Sequence, residues 1–210
     1  MEEAKKSGAF QPKKHLVLIG AGKIGCGYLA DLFESAGYSL TFLTHSLKQA
    51  ERLRERGSYT IYKTAEDSGQ VQKICISGFD AYSTSAEREE CIRALCETNY
   101  ATVHLYPAAF EDVANLLAEA ICKRATLCPE ETLDVFLCVN SIRPAQFFEN
   151  VIRGQLKTPE QTRYFEQKVG LVETLTYRNA FRGTPELLEE DPEAVIASDY
   201  ARLPIDGEAV

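Results

Sequence analysis

The stretch HLVLIGAGKIGCG, residues His15–Gly27, sets the expectation for the whole fold. A continuous apolar run is followed by three glycines in the spacing Gly-x-Gly-x-x-Gly, at Gly20, Gly22 and Gly25. Such a run is typical of a parallel strand that is covered on both faces. Glycines in this spacing, between a strand and a helix, form a phosphate-binding turn. The stretch therefore predicts the first strand, turn and helix of a dinucleotide-binding fold.

Each glycine of this turn has an expected role. Gly20 permits the tight turn, Gly22 lets the backbone approach a pyrophosphate, and Gly25 lets the helix pack closely on the strand. The helix N-terminus adds free N–H groups and about half a positive charge. The alternative is that the glycines serve packing alone. The candidate cofactor-binding residues of the turn are Gly20, Ala21, Gly22, Lys23, Ile24 and Gly25.

The residues after the turn alternate between helical and strand patterns. The first helix ends at Gly37, which suits the left-handed position after a helix. The second strand is SLTFLT, and Ser46 then caps a helix with Gln49 as its capping-box partner. Two β-rich segments around the polar turn TAEDSGQ predict a hairpin. The following segments are the helix EREECIRALCE, the strand YATVHLY, a long helix from Pro107 and the strand LDVFLCV.

This alternation predicts the fold class and the domain boundaries. We expect an α/β fold with a doubly wound, mostly parallel Rossmann-type sheet and a β-hairpin excursion. Residues 1–12 predict a flexible tail, and residues 13–210 an NAD(P)-binding Rossmann domain with a C-terminal α+β extension from about residue 141. The extension holds a helix after Pro144, a capped helix from Thr158 and a strand in KVGLVETLTYR. The acidic last twenty or so residues show no clear terminal element.

Composition narrows the class of protein. The chain has 210 residues, of which 45% are hydrophobic, enough for a full core. Its net charge of -8 argues against a nucleic-acid partner. We expect a cytoplasmic protein without a membrane partner, because the sequence shows neither a long apolar run nor a secretory signal. The seven cysteines form no Cys-x-x-Cys pair, so neither a disulfide framework nor a metal site is expected.

The end of the second strand lacks the acidic residue that binds the adenosine ribose of NAD. That residue normally lies about 20 positions after the glycine turn, where this chain has Thr44, His45 and Ser46. Without a carboxylate the site does not repel a 2′-phosphate, and Arg52 or Arg54 is expected nearby. The sequence therefore favours NADP over NAD, or weakened binding of both. Alternatively, Thr44 and Ser46 only end the strand and cap the helix.

Four segments occur in order over nearly everything from about residue 15 to residue 205. They are GAGKIGCGYLADLFESAGYSLTF, the hairpin after GSYTIY, CVNSIRPAQFFENVI, and VGLVETLTYR followed by DPEAVIASDY. This ordered set resembles the mannitol dehydrogenase family of polyol-specific long-chain dehydrogenases.

The resemblance implies an NAD(P)-dependent oxidation of a polyol or polyol phosphate to a ketose without a metal. In that family the first half binds the cofactor, and a helical second half carries a catalytic lysine with asparagine and histidine partners. The lysine accepts the alcohol proton while hydride leaves to the nicotinamide. This chain ends where that half is expected to begin. We therefore assign no catalytic residue and expect little or no turnover from the 210 residues alone.

Several positions depart from the family pattern on the cofactor side. The residues that replace the family's arginine, aspartate, glycine and acidic residue are Cys26, Thr44, Tyr106 and Val139. The bulky Tyr106 either fills space that the nicotinamide ribose needs or stacks on the cofactor. Asn140 and Arg143 match the family's Asn-x-x-Arg step, where the amide is expected to bond ribose or substrate. Their alternative is a turn residue and a surface cation.

Two further side chains carry open alternatives. Cys26, near the helix start, has either a lowered thiol pKa or a simple packing role, with packing favoured. His104 lies within an apolar strand, which favours a hydrogen-bonded core histidine over a catalytic base.

Because of these departures from the family pattern, three hypotheses about the function remain. The first reading is the cofactor half of a polyol dehydrogenase. The second is a divergent, non-catalytic Rossmann protein that uses the pocket for another nucleotide or for a protein partner. A purely structural domain with an unused turn is the third.

Overall fold

The glycine-rich stretch lies at the centre of a six-stranded parallel sheet. The computed structural model describes residues 14–65 and 67–209, so the predicted tail at residues 1–12 lies outside the described residues. The strands of this sheet are β1 (His15–Ile19), β2 (Ser39–Thr44), β5 (Asp80–Ser83), β6 (Tyr100–Val103), β7 (Leu133–Leu137) and β8 (Val169–Glu173). Their order is β5-β2-β1-β6-β7-β8. This is the doubly wound order of Rossmann domains, which confirms the predicted fold class.

Helices cover both faces of this sheet. The glycine turn leads into a helix that contains a π-helical turn, Gly25–Leu29, before α1 begins. A short 3₁₀ turn, Pro107–Ala109, precedes α4. The helices are α1 (Ala30–Ser35), α2 (Leu47–Arg56), α3 (Arg88–Cys96), α4 (Phe110–Leu127), α5 (Pro144–Gln155), α6 (Pro159–Lys168) and α7 (Pro185–Glu190).

A second, mixed sheet packs beside the first. The predicted hairpin is confirmed as β3 (Ser58–Thr64) and β4 (Val71–Ser77), which pair antiparallel. It joins β9 (Ala180–Arg182) and β10 (Val195–Ser198) in the order β4-β3-β10-β9. The acidic C-terminal stretch contains β10, which the sequence analysis did not predict, and in the described residues after β10 the structure has only an isolated bridge between Ile205 and Thr174. A four-residue strand has too short a pattern to read locally, and pairing with the distant β3 stabilises it.

Local signals at helix ends correspond to the observed boundaries with one exception. Gly37 and Gly57 follow α1 and α2 with positive φ angles of 84° and 65°, as left-handed caps require. Thr158 and Gln161 form the predicted capping box. The exception is Gln49, whose backbone N–H donates to the Ser46 hydroxyl while its side chain bonds elsewhere.

The helix after the glycine turn is held between the two sheets. A Cβ placed on Gly25 would overlap His104 and the Gly20 carbonyl oxygen. A Cβ on Gly27 would lie 2.5 Å from Val195 Cγ1 of the second sheet. Every residue of the π-helical turn is buried. Glycine at these two positions therefore allows one helix to contact both sheets closely.

A buried ion pair fastens this helix to the C-terminal extension. The Arg178 Nη2 atom lies 2.6 Å from Asp31 Oδ2, and the two side chains are 1% and 4% exposed. Lys63 of β3 adds a second cation 3.2 Å from the same carboxylate oxygen. Arg178 also donates to the Gly27 carbonyl oxygen over 3.1 Å. One carboxylate therefore joins the glycine-rich helix, the hairpin and the segment that leads into β9.

We expect Asp31→Ala to lower the free energy of unfolding by about 3–5 kcal/mol, because it leaves the Arg178 cation buried without its partner. The double variant Asp31→Leu/Arg178→Met should recover part of the loss, since it removes the buried unpaired Arg178 cation, although Lys63 still lacks its partner. Urea unfolding followed by circular dichroism measures both. The control is Glu149→Ala, which breaks an exposed pair with Arg153 and should cost under about 1 kcal/mol. Equal effects of Asp31→Ala and the control would contradict the role of the buried pair.

Candidate dinucleotide-binding site

The glycine turn has the geometry that a bound pyrophosphate requires. Gly20 has a φ of +114°, and a Cβ there would lie 2.9 Å from the His104 carbonyl oxygen. Gly22 is exposed, and a Cβ there would meet no atom within 4 Å. The helix starts directly after it, with the Cys26 N–H donating to the Gly22 carbonyl oxygen over 2.8 Å. The backbone at Gly22 is thus open to an anion in front of a helix N-terminus.

The other residues of the turn differ in exposure. Lys23 is exposed, Ile24 is half-buried and Ala21 is buried. The Ala21 carbonyl oxygen accepts a hydrogen bond from the Gln49 side chain over 2.9 Å. The turn is therefore fixed to the first turn of α2, close to the end of β2.

His104 lies directly beneath the turn. Its ring would be the nearest contact of a Cβ on Gly25, so it packs against the glycine backbone. The predicted core position is confirmed, but the predicted hydrogen bonding is wrong. Within the described residues neither ring nitrogen has a hydrogen-bond partner. Burial lowers the pKa of His104 to about 3, so the ring is neutral at physiological pH and supports the turn by packing.

The Gln49 side chain links the end of β2 to the glycine turn. Thr44 is buried, and its hydroxyl donates to Gln49 Oε1 over 2.7 Å. His45 and Ser46 are exposed at the strand end, and the His45 carbonyl oxygen accepts from the Ser85 hydroxyl. The candidate residues after β2 therefore lie at the same edge of the sheet as the glycine turn.

The Glu193 carboxylate, which the sequence did not indicate, also lies beside the glycine turn and the first turns of α2. Glu193 Oε2 accepts from Gln49 Nε2 over 3.2 Å, and Glu193 Oε1 accepts from Arg52 Nε over 2.6 Å. A cavity of about 210 Å³ lies here. It is lined by Glu193, Arg52 and Arg182 and by residues of the glycine turn, including Lys23. Glu193 lies in the acidic C-terminal stretch, and no local motif marks it. Arg54 instead donates to Glu87 and to the Ala81 carbonyl oxygen beside β5.

The opposite end of the site is open to solvent. Tyr106 follows β6 and is 83% exposed, so its ring fills no buried space. Asn140 and Arg143 are both exposed in the loop between β7 and α5. Arg143 adopts a left-handed backbone with a φ of 50°, a rare conformation for a residue other than glycine. Because β6 and β7 pair in parallel, these residues lie at the carboxyl edge where Rossmann domains bind ligands.

A larger cavity of about 710 Å³ lies between α3 and α4. His45, Thr84 and Ser85 line the end of it next to the sheet. Ion pairs join the two helices along the cavity, Arg88 with Glu119 and Lys123 with Glu89. His45 therefore lies at the strand end that faces this second cavity.

Comparison with known proteins now identifies the family. The family model described as the mannitol dehydrogenase Rossmann domain matches residues 14–210. The chain belongs to the mannitol dehydrogenase family. Mannitol-1-phosphate 5-dehydrogenase of Enterococcus faecalis is 28% identical over 190 residues, which are 90% of this chain and 47% of that protein. The same enzyme of Streptococcus pneumoniae is 26% identical over 157 residues, which are 75% and 40%.

Solved structures support the fold. Yersinopine dehydrogenase with bound NADP+ superimposes with a TM-score of 0.62 at 12% identity, over 89% of this chain and 39% of that one. Octopine dehydrogenase in complex with NADH and agmatine gives 0.59 at 12% identity, over 87% and 39%. The chain spans less than half the length of these relatives. It is a Rossmann domain of the dinucleotide-binding type.

In residues 14–65 and 67–209 no helix has the length and apolar character of a membrane span. The same residues contain no group of three or more His, Cys, Asp or Glu side chains arranged to hold a metal ion.

We expect a methyl group added at Gly25 and one added at Gly22 to have different effects on stability. Gly25→Ala should destabilise the fold by about 1–3 kcal/mol or more, because the methyl overlaps His104 and the Gly20 carbonyl oxygen. Gly22→Ala should change stability by under about 1 kcal/mol, because its methyl meets open space. Thermal and urea unfolding of the two variants measure the difference. Equal losses would show that the helix does not close on His104 as described.

Cys26 is a packing residue and not an activated thiol. Burial, with a smaller contribution from the Glu193 charge, raises its pKa to about 12. At pH 8 the thiol is therefore protonated and inaccessible. Iodoacetamide should modify the exposed Cys75 long before Cys26, as read by peptide mass spectrometry of the native protein. Equally fast labelling of both would contradict this assignment, and labelling in urea provides the control for reactivity.

Proposed function

We propose that this chain is the cofactor-binding part of an NAD(P)-dependent dehydrogenase similar to mannitol-1-phosphate 5-dehydrogenase. The reaction would be oxidation of a polyol or polyol phosphate to a ketose, in the cytoplasm. The observation that carries the proposal is the open Gly22 backbone in front of a helix N-terminus, at the carboxyl edge of a sheet with the Rossmann strand order. The family membership and the relatives support the substrate class.

Different residues of the chain would contact different parts of the cofactor. The turn from Gly20 to Gly25 would hold the pyrophosphate, with Lys23 near its charge. Thr44, His45 and Ser46 would lie at the adenosine end. Tyr106 and Asn140 are exposed after β6 and β7 and would border the nicotinamide end, where Tyr106 is free to stack on the cofactor. The bound nicotinamide supplies the hydride acceptor.

The catalytic groups would come from outside these 210 residues. Within the described residues His104 is buried and neutral, so it is not a base for an alcohol. No residue matches the lysine motif that the family resemblance implies. We therefore expect the isolated chain to bind a dinucleotide and to show no turnover with mannitol 1-phosphate, in an assay that follows absorbance of the reduced cofactor.

A second function has specific support. Cys26, Thr44, Tyr106 and Val139 depart from the family pattern on the cofactor side. These features favour a non-catalytic Rossmann protein that binds another nucleotide or a protein partner.

Calorimetric titration with NADH and NADPH tests the proposal. We expect saturable binding of at least one dinucleotide, weakened about tenfold or more in Gly22→Ala, because the added methyl lies where the pyrophosphate approaches. Gly154→Ala, whose methyl also meets open space but lies in α5, is the matched control and should bind as the native chain does. No heat and no thermal shift at millimolar concentrations of either dinucleotide would reject the cofactor site and leave the second function or a structural role.

A further inference from the structure

We propose that the Glu193 carboxylate accepts hydrogen bonds from the adenosine ribose hydroxyls and repels a 2′-phosphate. The site therefore binds NAD(H) more tightly than NADP(H). The inference rests on the proposed dinucleotide site and names its specificity. It reverses the preference for NADP that Thr44 alone suggests.

The first argument is the position of the carboxylate. In Rossmann domains an acidic residue after the second strand bonds the ribose hydroxyls, and here that strand ends in Thr44. The structure joins Thr44, Gln49 and Glu193 by side-chain hydrogen bonds of 2.7 and 3.2 Å. Gln49 also bonds the Ala21 carbonyl oxygen of the turn. The Gln49 side-chain amide therefore links Glu193 to the end of β2 at Thr44 and to the glycine turn, the two features that define the ribose position.

The second argument is charge. Arg52 is the cation that a 2′-phosphate would use in the absence of an acidic residue, but its Nε atom donates to Glu193 over 2.6 Å. The Glu193 side chain is 9% exposed, whereas that of Arg52 is 41% exposed. A phosphate in this cavity would meet a poorly solvated carboxylate and a cation already neutralised. Ribose hydroxyls, in contrast, can donate hydrogen bonds to the carboxylate.

The third argument is rigidity. The Glu193 backbone N–H donates to Asp191 Oδ1, and Asp191 Oδ2 accepts from the Thr60 N–H of β3 over 2.7 Å. Two residues later, Val195 pairs with Ile61 of β3 and with Arg182 of β9. Glu193 thus lies in the turn directly before β10, and this turn is anchored to β3 by the Asp191–Thr60 hydrogen bond and by the pairing of Val195. A group held in this way discriminates between ligands without being reorganised first.

The test measures dissociation constants for NADH and NADPH by calorimetry on the native chain and on Glu193→Gln. This change keeps the shape and removes the charge. We expect the native chain to bind NADH more tightly, and the variant to shift the NADPH-to-NADH affinity ratio by about tenfold or more toward NADPH. Glu189→Gln is the control: it loses the same charge from an exposed position in α7 and should leave the ratio unchanged.

The double variant Glu193→Gln/Arg52→Ala separates two effects. If the gain in NADPH affinity comes from a released Arg52, the double variant loses that gain. If it comes from removing repulsion, the double variant keeps it. Either result supports Glu193 as the selecting residue. An affinity ratio in Glu193→Gln that equals the native ratio overturns the inference, while binding of NADH by the native chain still upholds the cofactor site.

A second measurement needs no variant. ADP-ribose and its 2′-phosphate differ only in the group that Glu193 is proposed to exclude, and both are titrated into the native chain. Tighter binding of ADP-ribose is expected, and tighter binding of the 2′-phosphate would overturn the inference. If neither ADP-ribose nor NADH binds, the dinucleotide site itself is rejected and the inference with it. Circular dichroism of Glu193→Gln confirms that any change in ratio comes from a folded protein.

Discussion

One helix packs closely against both sheets, and this packing positions the other elements of the fold. Gly25 allows the helix to lie against His104, which directly follows β6 of the parallel sheet, and Gly27 allows the second sheet to approach through Val195. A side chain at either position would push the helix away from one sheet. The same helix directs its N-terminus at the candidate site, so packing and ligand geometry are set by the same glycines.

The second sheet thereby becomes part of the site. The Asp31–Arg178 pair fixes the C-terminal extension to the glycine-rich helix in a buried environment, where an unpaired charge would be costly. The pairing of β10 with β3 then brings the segment before β10 to the glycine turn. The extension therefore supplies Glu193 and Arg182 to a cavity that the glycine turn, Gln49 and Arg52 line on the Rossmann side.

Local features of the sequence predicted most of the framework. The apolar run of β1, the glycine spacing and the caps at Gly37, Gly57 and Thr158 act within a few residues of one another, so their structures follow from local sterics and hydrogen bonding. The capping box predicted at Gln49 was wrong, and the strand β10 was not predicted. Both form contacts with residues far away in the chain, which no local pattern records.

The sequence by itself determined a Rossmann-type chain with a phosphate turn, because strand, turn and helix are each specified over a short span. The tertiary structure alone decided which groups surround that turn. Among the described residues, the ring nitrogens of His104 beneath the turn have no hydrogen-bond partner, and Glu193 lies beside the turn, paired with Arg52. The charge of a binding site depends on which distant side chains the packing brings together, and the turn motif carries no information about them.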